Sequence, residues 1–291
     1  MTRGFAPEEY AAPQSVEEAV RLLVDHGPGA GVIAGGTDLL VRRPEELELL
    51  VDVSRLGLDG VEEEERGGLR VGACVTAAAL EEDVRVVGRG CWGVLSEAAA
   101  ALGTPTVRNR ATLGGNLSNG SPAADLAVAV LAAEGKVETA GSGIRRFIPI
   151  EKLFRGPGQT CLHPDEIVVA VHLPPPQVGE AGAFLKLRRH QTAVDIATVS
   201  TAVVVRMEGG ECRHARIALG AVAGTPMLAT EAASFLTGKE LTADVVRQAG
   251  EIAAREARPI DDIRASASYR RQMVAVLVRR ALETAWGRCR A

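Results

Sequence analysis

Three consecutive prolines, Pro174-Pro175-Pro176, followed closely by Gly179 and Gly182, constrain this chain more than any other feature. Proline has a fixed φ and no amide hydrogen, so neither a helix nor a sheet interior can run through such a segment. The hydrophobic patterns on its two sides differ. Beyond it, three strand-like runs at 184–187, 196–207 and 213–222 precede three helical runs at 230–236, 243–257 and 268–286. Strands followed by helices predict an α+β domain over 181–288, with a three-stranded antiparallel sheet covered by helices. Before the prolines the elements are short and mixed. Ser15-Val16-Glu17-Glu18 is a capping box, and Gly27 ends the helix it opens. A short buried strand is expected at 31–34 and another at 49–53. Runs at 58–61 and 69–75 read as a hairpin around Gly67-Gly68. Helices are expected at 76–82 and 91–102. Ser121 is expected to cap a further helix, with Pro122 at its first position and Gly135 beyond its end.

The 291 residues suit two or three small domains. A net charge of -4 gives no electrostatic reason to expect nucleic acid as a partner. No apolar run reaches the roughly 18 residues that a membrane span needs. Met1 to Tyr10 lacks a signal-peptide layout, so the cytoplasm is the expected compartment. Cys74, Cys91, Cys161, Cys212 and Cys289 form no C-x-x-C pair, which predicts neither a disulfide framework nor a metal or iron–sulfur site on this chain. Aromatic residues are only 3%, so a planar cofactor would be packed mainly by aliphatic side chains and backbone.

Chemistry is expected in two glycine loops. The first is Ala34-Gly35-Gly36-Thr37-Asp38. The second is Thr112-Leu113-Gly114-Gly115-Asn116, with Asn119, Ser121 and Asp125 close behind. Paired glycines leave backbone amides unobstructed and free to converge on one anion, as a phosphate or pyrophosphate requires. Thr37, Thr112, Asn116 and Ser121 add donors without adding charge. Either Gly-Gly alone reads first as a tight turn; two such loops, each after an apolar stretch and flanked by Thr, Asn or Asp, shift the reading toward a cofactor. Asp38 would repel a pyrophosphate if it faced the same way, so it is expected to cap the short stretch after Gly36 or to turn toward hydroxyls. Asp125 has two readings. It either favours the dipole of its helix or accepts hydrogen bonds from sugar or ribityl hydroxyls.

Standard nucleotide and catalytic motifs fail. Gly29-Ala30-Gly31-Val32-Ile33-Ala34 spells a dinucleotide fingerprint, but it precedes a strand where a Rossmann loop follows one. Lys239 lacks a P-loop, there is no H-E-x-x-H or G-x-S-x-G, and the five histidines show no ligand spacing. No catalytic acid–base residue and no metal ligand is assigned.

Taken together, the segments resemble the FAD-binding medium subunit of the xanthine dehydrogenase and carbon monoxide dehydrogenase family of molybdenum hydroxylases. The marks are Ala34-Gly35-Gly36-Thr37-Asp38-Leu39-Leu40, then Arg108-Asn109-Arg110-Ala111-Thr112-Leu113-Gly114-Gly115-Asn116-Leu117 continuing through Ser121-Pro122-Ala123-Ala124-Asp125-Leu126. Gly156-Pro157-Gly158-Gln159-Thr160, Pro164-Asp165-Glu166-Ile167, Asp195-Ile196-Ala197 and Ser268-Tyr269-Arg270-Arg271 continue it over essentially the whole chain. The resemblance implies a PCMH-type FAD-binding region of two α+β subdomains, 1–57 and 58–176, ahead of the C-terminal domain. It implies non-covalent FAD between those subdomains, with both glycine loops on the pyrophosphate, Asn116 and Asp125 on the cofactor, and Asp195-Ile196 near the isoalloxazine ring. Some relatives carry an aromatic residue at or beside Ile196; here an aliphatic one would pack on the ring. The implied partners are a small subunit with [2Fe–2S] clusters and a large subunit with the molybdenum cofactor, with NAD or another acceptor taking the electrons. Two other readings stay open: a stand-alone PCMH-type flavin reductase or oxidase, and a non-catalytic assembly subunit.

Overall fold

The computed structural model describes residues 7–189 and 196–290; Asp195 lies outside the described residues. The chain opens with β1 (Glu9–Ala11), α1 (Val16–His26), β2 (Ala30–Ile33), α2 (Leu39–Arg42) and β3 (Leu49–Asp52). The strands form a parallel sheet in the order β1-β3-β2. α1 lies over it because Ala19, Val20 and Leu23 fall on one helical face and are buried. The capping box works as the sequence predicts: Ser15 Oγ accepts from the Glu18 amide at 3.1 Å. Gly27, at φ 56°, ends the helix. The expectation of a buried strand at 31–34 is corrected. β2 is a sheet edge, and its Val32 is 39% exposed.

Next come β4 (Val61–Glu63), β5 (Leu69–Gly72), α3 (Ala77–Glu82), α4 (Gly93–Ala100), α5 (Pro105–Arg108), α6 (Leu113–Ser118), α7 (Asp125–Ala132), β6 (Lys136–Gly141), β7 (Ile144–Pro149), the ribbon β8 (Phe154–Gly156) and β9 (Gln159–Thr160), and β10 (Ile167–Leu173). Five of these strands make an antiparallel sheet in the order β4-β5-β10-β6-β7. Ser121 does not cap α7, which begins four residues later at Asp125. A turn intervenes: the Ser121 carbonyl accepts from the Ala124 amide at 3.1 Å and Ser121 Oγ from the Ala123 amide at 3.3 Å. Every residue of α7 is buried. A short helix that is apolar all round has to sit inside the molecule.

The last part holds β11 (Glu180–Leu187), β12 (Val199–Glu208), β13 (Glu211–Gly220), β14 (Met227–Leu228), α8 (Thr230–Leu236), α9 (Ala243–Glu256) and α10 (Ala267–Cys289). Its antiparallel sheet runs β11-β12-β13-β14 and so has four strands, not the three expected. Two residues of β14 are too few to show the alternation by which a strand is read from sequence. The α+β class of this part is as expected. Along β12, alternate side chains serve two different cores. Ala202 and Val204 join the core around α4 and α7, while Val203 and Val205 join the core under α9 and α10. That is why β12 reads as an apolar run with no alternation. Among the described residues no helix is long and apolar enough to cross a membrane.

α7 thus lies between two sheets, and a truncation within it leaves a void that neither sheet can close. Leu131→Ala, at a position 2% exposed, is expected to cost about 2–5 kcal/mol of unfolding free energy. Urea unfolding followed by circular dichroism measures it; a loss below about 1 kcal/mol would contradict this placement.

Candidate functional site

Residues from all three sheets line one cavity of about 650 Å³. β2 and the loop after it supply Ala34, Gly35, Gly36, Thr37 and Asp38. The middle part supplies Leu102, Thr112, Gly114, Gly115, Asn116, Ser121 and Asp125. The C-terminal part supplies Lys186 and Ile196. Every cofactor contact expected from the sequence that falls among the described residues lines this cavity.

The two glycine loops do different jobs. A Cβ added to Gly35 would lie 1.8 Å from the Arg110 carbonyl oxygen, so glycine here permits the two walls of the cleft to touch. Gly36 has φ +69°, a left-handed conformation that glycine adopts without strain. No acceptor among the described residues takes the amides of Gly35, Gly36, Thr37 or Asp38. Four consecutive unclaimed donors are what an anion needs. In the second loop the four amides from Leu113 to Asn116 are already taken. Leu113 donates to the Val75 carbonyl at 2.9 Å, Gly114 to Ala73 at 2.8 Å and Asn116 to Thr112 at 3.0 Å. Gly115 donates to Thr112 Oγ1 at 3.2 Å. The second loop therefore contributes side chains and close packing rather than free backbone. Thr112 and Ser121 each use the hydroxyl oxygen to hold a turn, which leaves the hydroxyl hydrogen to donate outward. Asn116 Oδ1 accepts from the Ala127 amide of α7 at 3.3 Å, which leaves its NH₂ group available.

Three of the four carboxylates on the cavity wall are paired. Asp38 sits at the N-cap of α2 but makes no capping hydrogen bond. Its carboxylate faces Arg42 at 3.5 Å, and Arg42 reaches across the cleft to Asn119 Oδ1 at 2.8 Å. Glu166 is held by Arg146 at 2.6 Å. Asp125 is 4% exposed and meets Lys186 Nζ at 2.5 Å. Lys186 also donates to the Ala101 carbonyl at 3.2 Å. Burial pushes the Asp125 carboxyl above its ordinary range, against the pull of the Lys186 ammonium. Asp125 Oδ1 is buried and has no partner. An unsatisfied buried acceptor on a cavity wall is the complement of a ligand hydroxyl. Of the two readings the sequence leaves for Asp125, this geometry favours the second.

Lys186 and Arg42 are absent from the sequence reading. Lys186 gives one readable signal, a lone cation in an otherwise apolar strand run; Arg42, on an exposed helix, gives none. Cys74 also lines the cavity. Its thiol donates to the Val53 carbonyl at 3.3 Å. Burial, with the carboxylates of Asp59 and Asp52, pushes this thiol up to about 11. Among the described residues the cavity wall carries no histidine or tyrosine, and no cluster of three or more metal-ligating side chains occurs.

A cleft with unclaimed amides at one wall, neutral donors at the other and a buried carboxylate with an orphaned oxygen between them has the groups that a cofactor with a pyrophosphate and a polyol would need. Comparison with known proteins agrees. Residues 4–176 match the family described as the FAD binding domain in molybdopterin dehydrogenase, and residues 182–285 match the CO dehydrogenase flavoprotein C-terminal domain. The carbon monoxide dehydrogenase medium chain of Hydrogenophaga pseudoflava is 36% identical, over 97% of this chain and 98% of its own length. The xanthine dehydrogenase FAD-binding subunit of Escherichia coli O157:H7 is 30% identical, over 95% of each chain. The solved carbon monoxide dehydrogenase of Hydrogenophaga pseudoflava superposes with a TM-score of 0.92, covering 98% of this chain and 99% of that chain. Quinoline 2-oxidoreductase from Pseudomonas putida 86 gives 0.90 at 30% identity, covering 98% of this chain and 99% of that one. The chain belongs to the FAD-binding medium subunits of the molybdenum hydroxylase family. It is an oxidoreductase subunit, and FAD is its cofactor.

The Asp125–Lys186 pair can be tested as a unit. Each single change, Asp125→Asn or Lys186→Met, disrupts a buried ion pair and is expected to cost about 3–5 kcal/mol of stability. The double variant is expected to lose at least about 1 kcal/mol less than the sum. Strict additivity in a denaturant-based double-mutant cycle would show that the two groups do not interact.

Proposed function

We propose that this chain is the electron-transfer flavoprotein of a heteromeric molybdenum hydroxylase in the cytoplasm. In this reading a molybdenum-cofactor subunit oxidises the substrate and a [2Fe–2S] subunit delivers the electrons here. Bound FAD supplies the redox chemistry, passing electrons on to NAD or another acceptor. The observation that carries the reading is the row of unclaimed amides, Gly35 to Asp38, on the wall of a cavity whose buried Asp125 Oδ1 lacks a partner. Those amides would hold the pyrophosphate, assisted by the Thr37, Thr112 and Ser121 hydroxyls and the Asn116 amide. Asp125 would accept from a hydroxyl of the cofactor, with Lys186 keeping its charge compensated. Ile196, at the cleft mouth and 52% exposed, would lie against the ring. Asp195 belongs to the same expected contact and is assigned with it. The chain thereby binds and orients the cofactor, and its own side chains need not exchange protons.

A covalent cysteinyl link would need a thiolate, and Cys74 is held as the thiol by its burial. Acid precipitation is therefore expected to leave all of the flavin in the supernatant, identified as FAD by chromatography. Flavin retained in the pellet would overturn non-covalent binding. The site itself is tested by Gly115→Val. A Cβ there already lies 2.9 Å from Thr112 Oγ1, and Gly115 lines the cleft. FAD affinity should fall at least tenfold while the far-ultraviolet spectrum stays that of the parent. Unchanged FAD content would remove the second loop from the site. Co-purification of a molybdenum and an iron–sulfur subunit with the tagged chain tests the assembly; recovery of a stoichiometric flavoprotein alone would favour a stand-alone enzyme.

A further inference from the structure

Residues 257–266, which join α9 to α10, meet one flank of the stretch that carries Ile196 directly and the other through Arg270 of α10. On one flank, Arg189 Nη1 donates to the Ile263 carbonyl at 2.9 Å. On the other, Arg270 of α10 reaches Thr198, two residues beyond Ile196. Arg270 is 3% exposed and does not line the cavity. Its Nη1 donates to the Thr198 carbonyl at 3.1 Å and to the Ala221 carbonyl at 2.7 Å. Its Nη2 donates to Asp262 Oδ1 at 2.6 Å. Asp262 in turn accepts from the amides of Arg264 at 2.8 Å and Ala265 at 3.2 Å, which shapes the connector around the guanidinium. The Thr198 amide closes the corner by donating to the Leu187 carbonyl at 2.8 Å.

A buried guanidinium with one carboxylate and two main-chain carbonyls is a costly arrangement unless it fixes a geometry. Only arginine presents a planar fork that can satisfy three acceptors on different segments at once; lysine carries a single point charge. We propose that Arg270 is a positioning residue for the flavin site. It locks the α9–α10 connector, Ala221 and Thr198 into one corner, and so fixes Ile196 on the wall of the cofactor cleft. The inference deepens the assignment of Ile196 as a wall of the ring site, and rests on it for its functional half.

The test uses the full chain as Arg270→Lys and as Val274→Ala. Val274 lies one turn further along α10, is fully buried, and belongs to the core rather than to this corner. Hydrogen exchange of the Thr198 amide is measured in the cofactor-free chain. The FAD dissociation constant and iodide quenching of bound FAD are measured separately. Arg270→Lys is expected to speed Thr198 exchange about tenfold, to weaken FAD by about the same factor and to increase quenching. Val274→Ala is expected to lower the melting temperature and leave those readouts alone. Unchanged Thr198 exchange in Arg270→Lys would overturn the clamp, as would an equal change in Val274→Ala. Faster exchange with unaltered FAD affinity and quenching would instead overturn the placement of Ile196 against the ring. Should Arg270→Lys fail to fold, Asp262→Asn removes the connector's anchor and is expected to give the same pattern; wild-type exchange there would equally overturn the clamp.

Discussion

The cleft exists because two stretches of backbone meet at a distance that only glycine allows. At Gly35 any side chain would occupy the space of the Arg110 carbonyl oxygen. This contact joins the parallel sheet to the middle part of the chain and sets the height of the cavity between them. It also explains why two similar-looking glycine loops differ in use. The loop at 35–38 hangs from an edge strand, so its amides have no sheet neighbour and stay unclaimed. The loop at 112–116 is held on the residues just after β5 by the Leu113 and Gly114 amides, while those of Gly115 and Asn116 turn back to Thr112. One wall offers backbone donors and the other offers hydroxyls and an amide.

A pyrophosphate site without a dominant cation needs its acidic neighbours neutralised. The cleft does this at three of its four carboxylates, pairing Asp38 with Arg42, Glu166 with Arg146 and Asp125 with Lys186. Exposed Asp38–Arg42 is weak by nature. The Asp125–Lys186 contact is different, because both side chains are almost fully buried and each charge depends on the other.

Much of this was legible in the sequence, for identifiable reasons. The α1 cap, the two glycine loops and the order of strands then helices after Pro176 are written in adjacent residues. What escaped depends on contacts distant in sequence. Lys186 matters because of Asp125, and Arg42 because of Asn119; no window of sequence contains either pair. The Ser121 cap failed because the Ser-Pro signature fits a turn of four residues as well as a helix start. β14 is too short for any period, and β2 looks buried only until its edge position is known. Asp125 is the instructive middle case: its two readings, helix dipole and hydroxyl partner, are both legible in the sequence, but its orphaned oxygen is not.

The proline break divides the chain's path without dividing its core, since β12 serves the hydrophobic interiors on both of its faces. That has a consequence for vectorial synthesis. α7 is complete at residue 132, whereas β12, which covers it, ends at 208. At ribosomal rates that gap lasts on the order of ten seconds. Through that interval a helix that is apolar at every position after Asp125 has left the ribosome before the sheet that shelters it, and the nascent chain is at its most vulnerable to mispairing while it awaits its own third part.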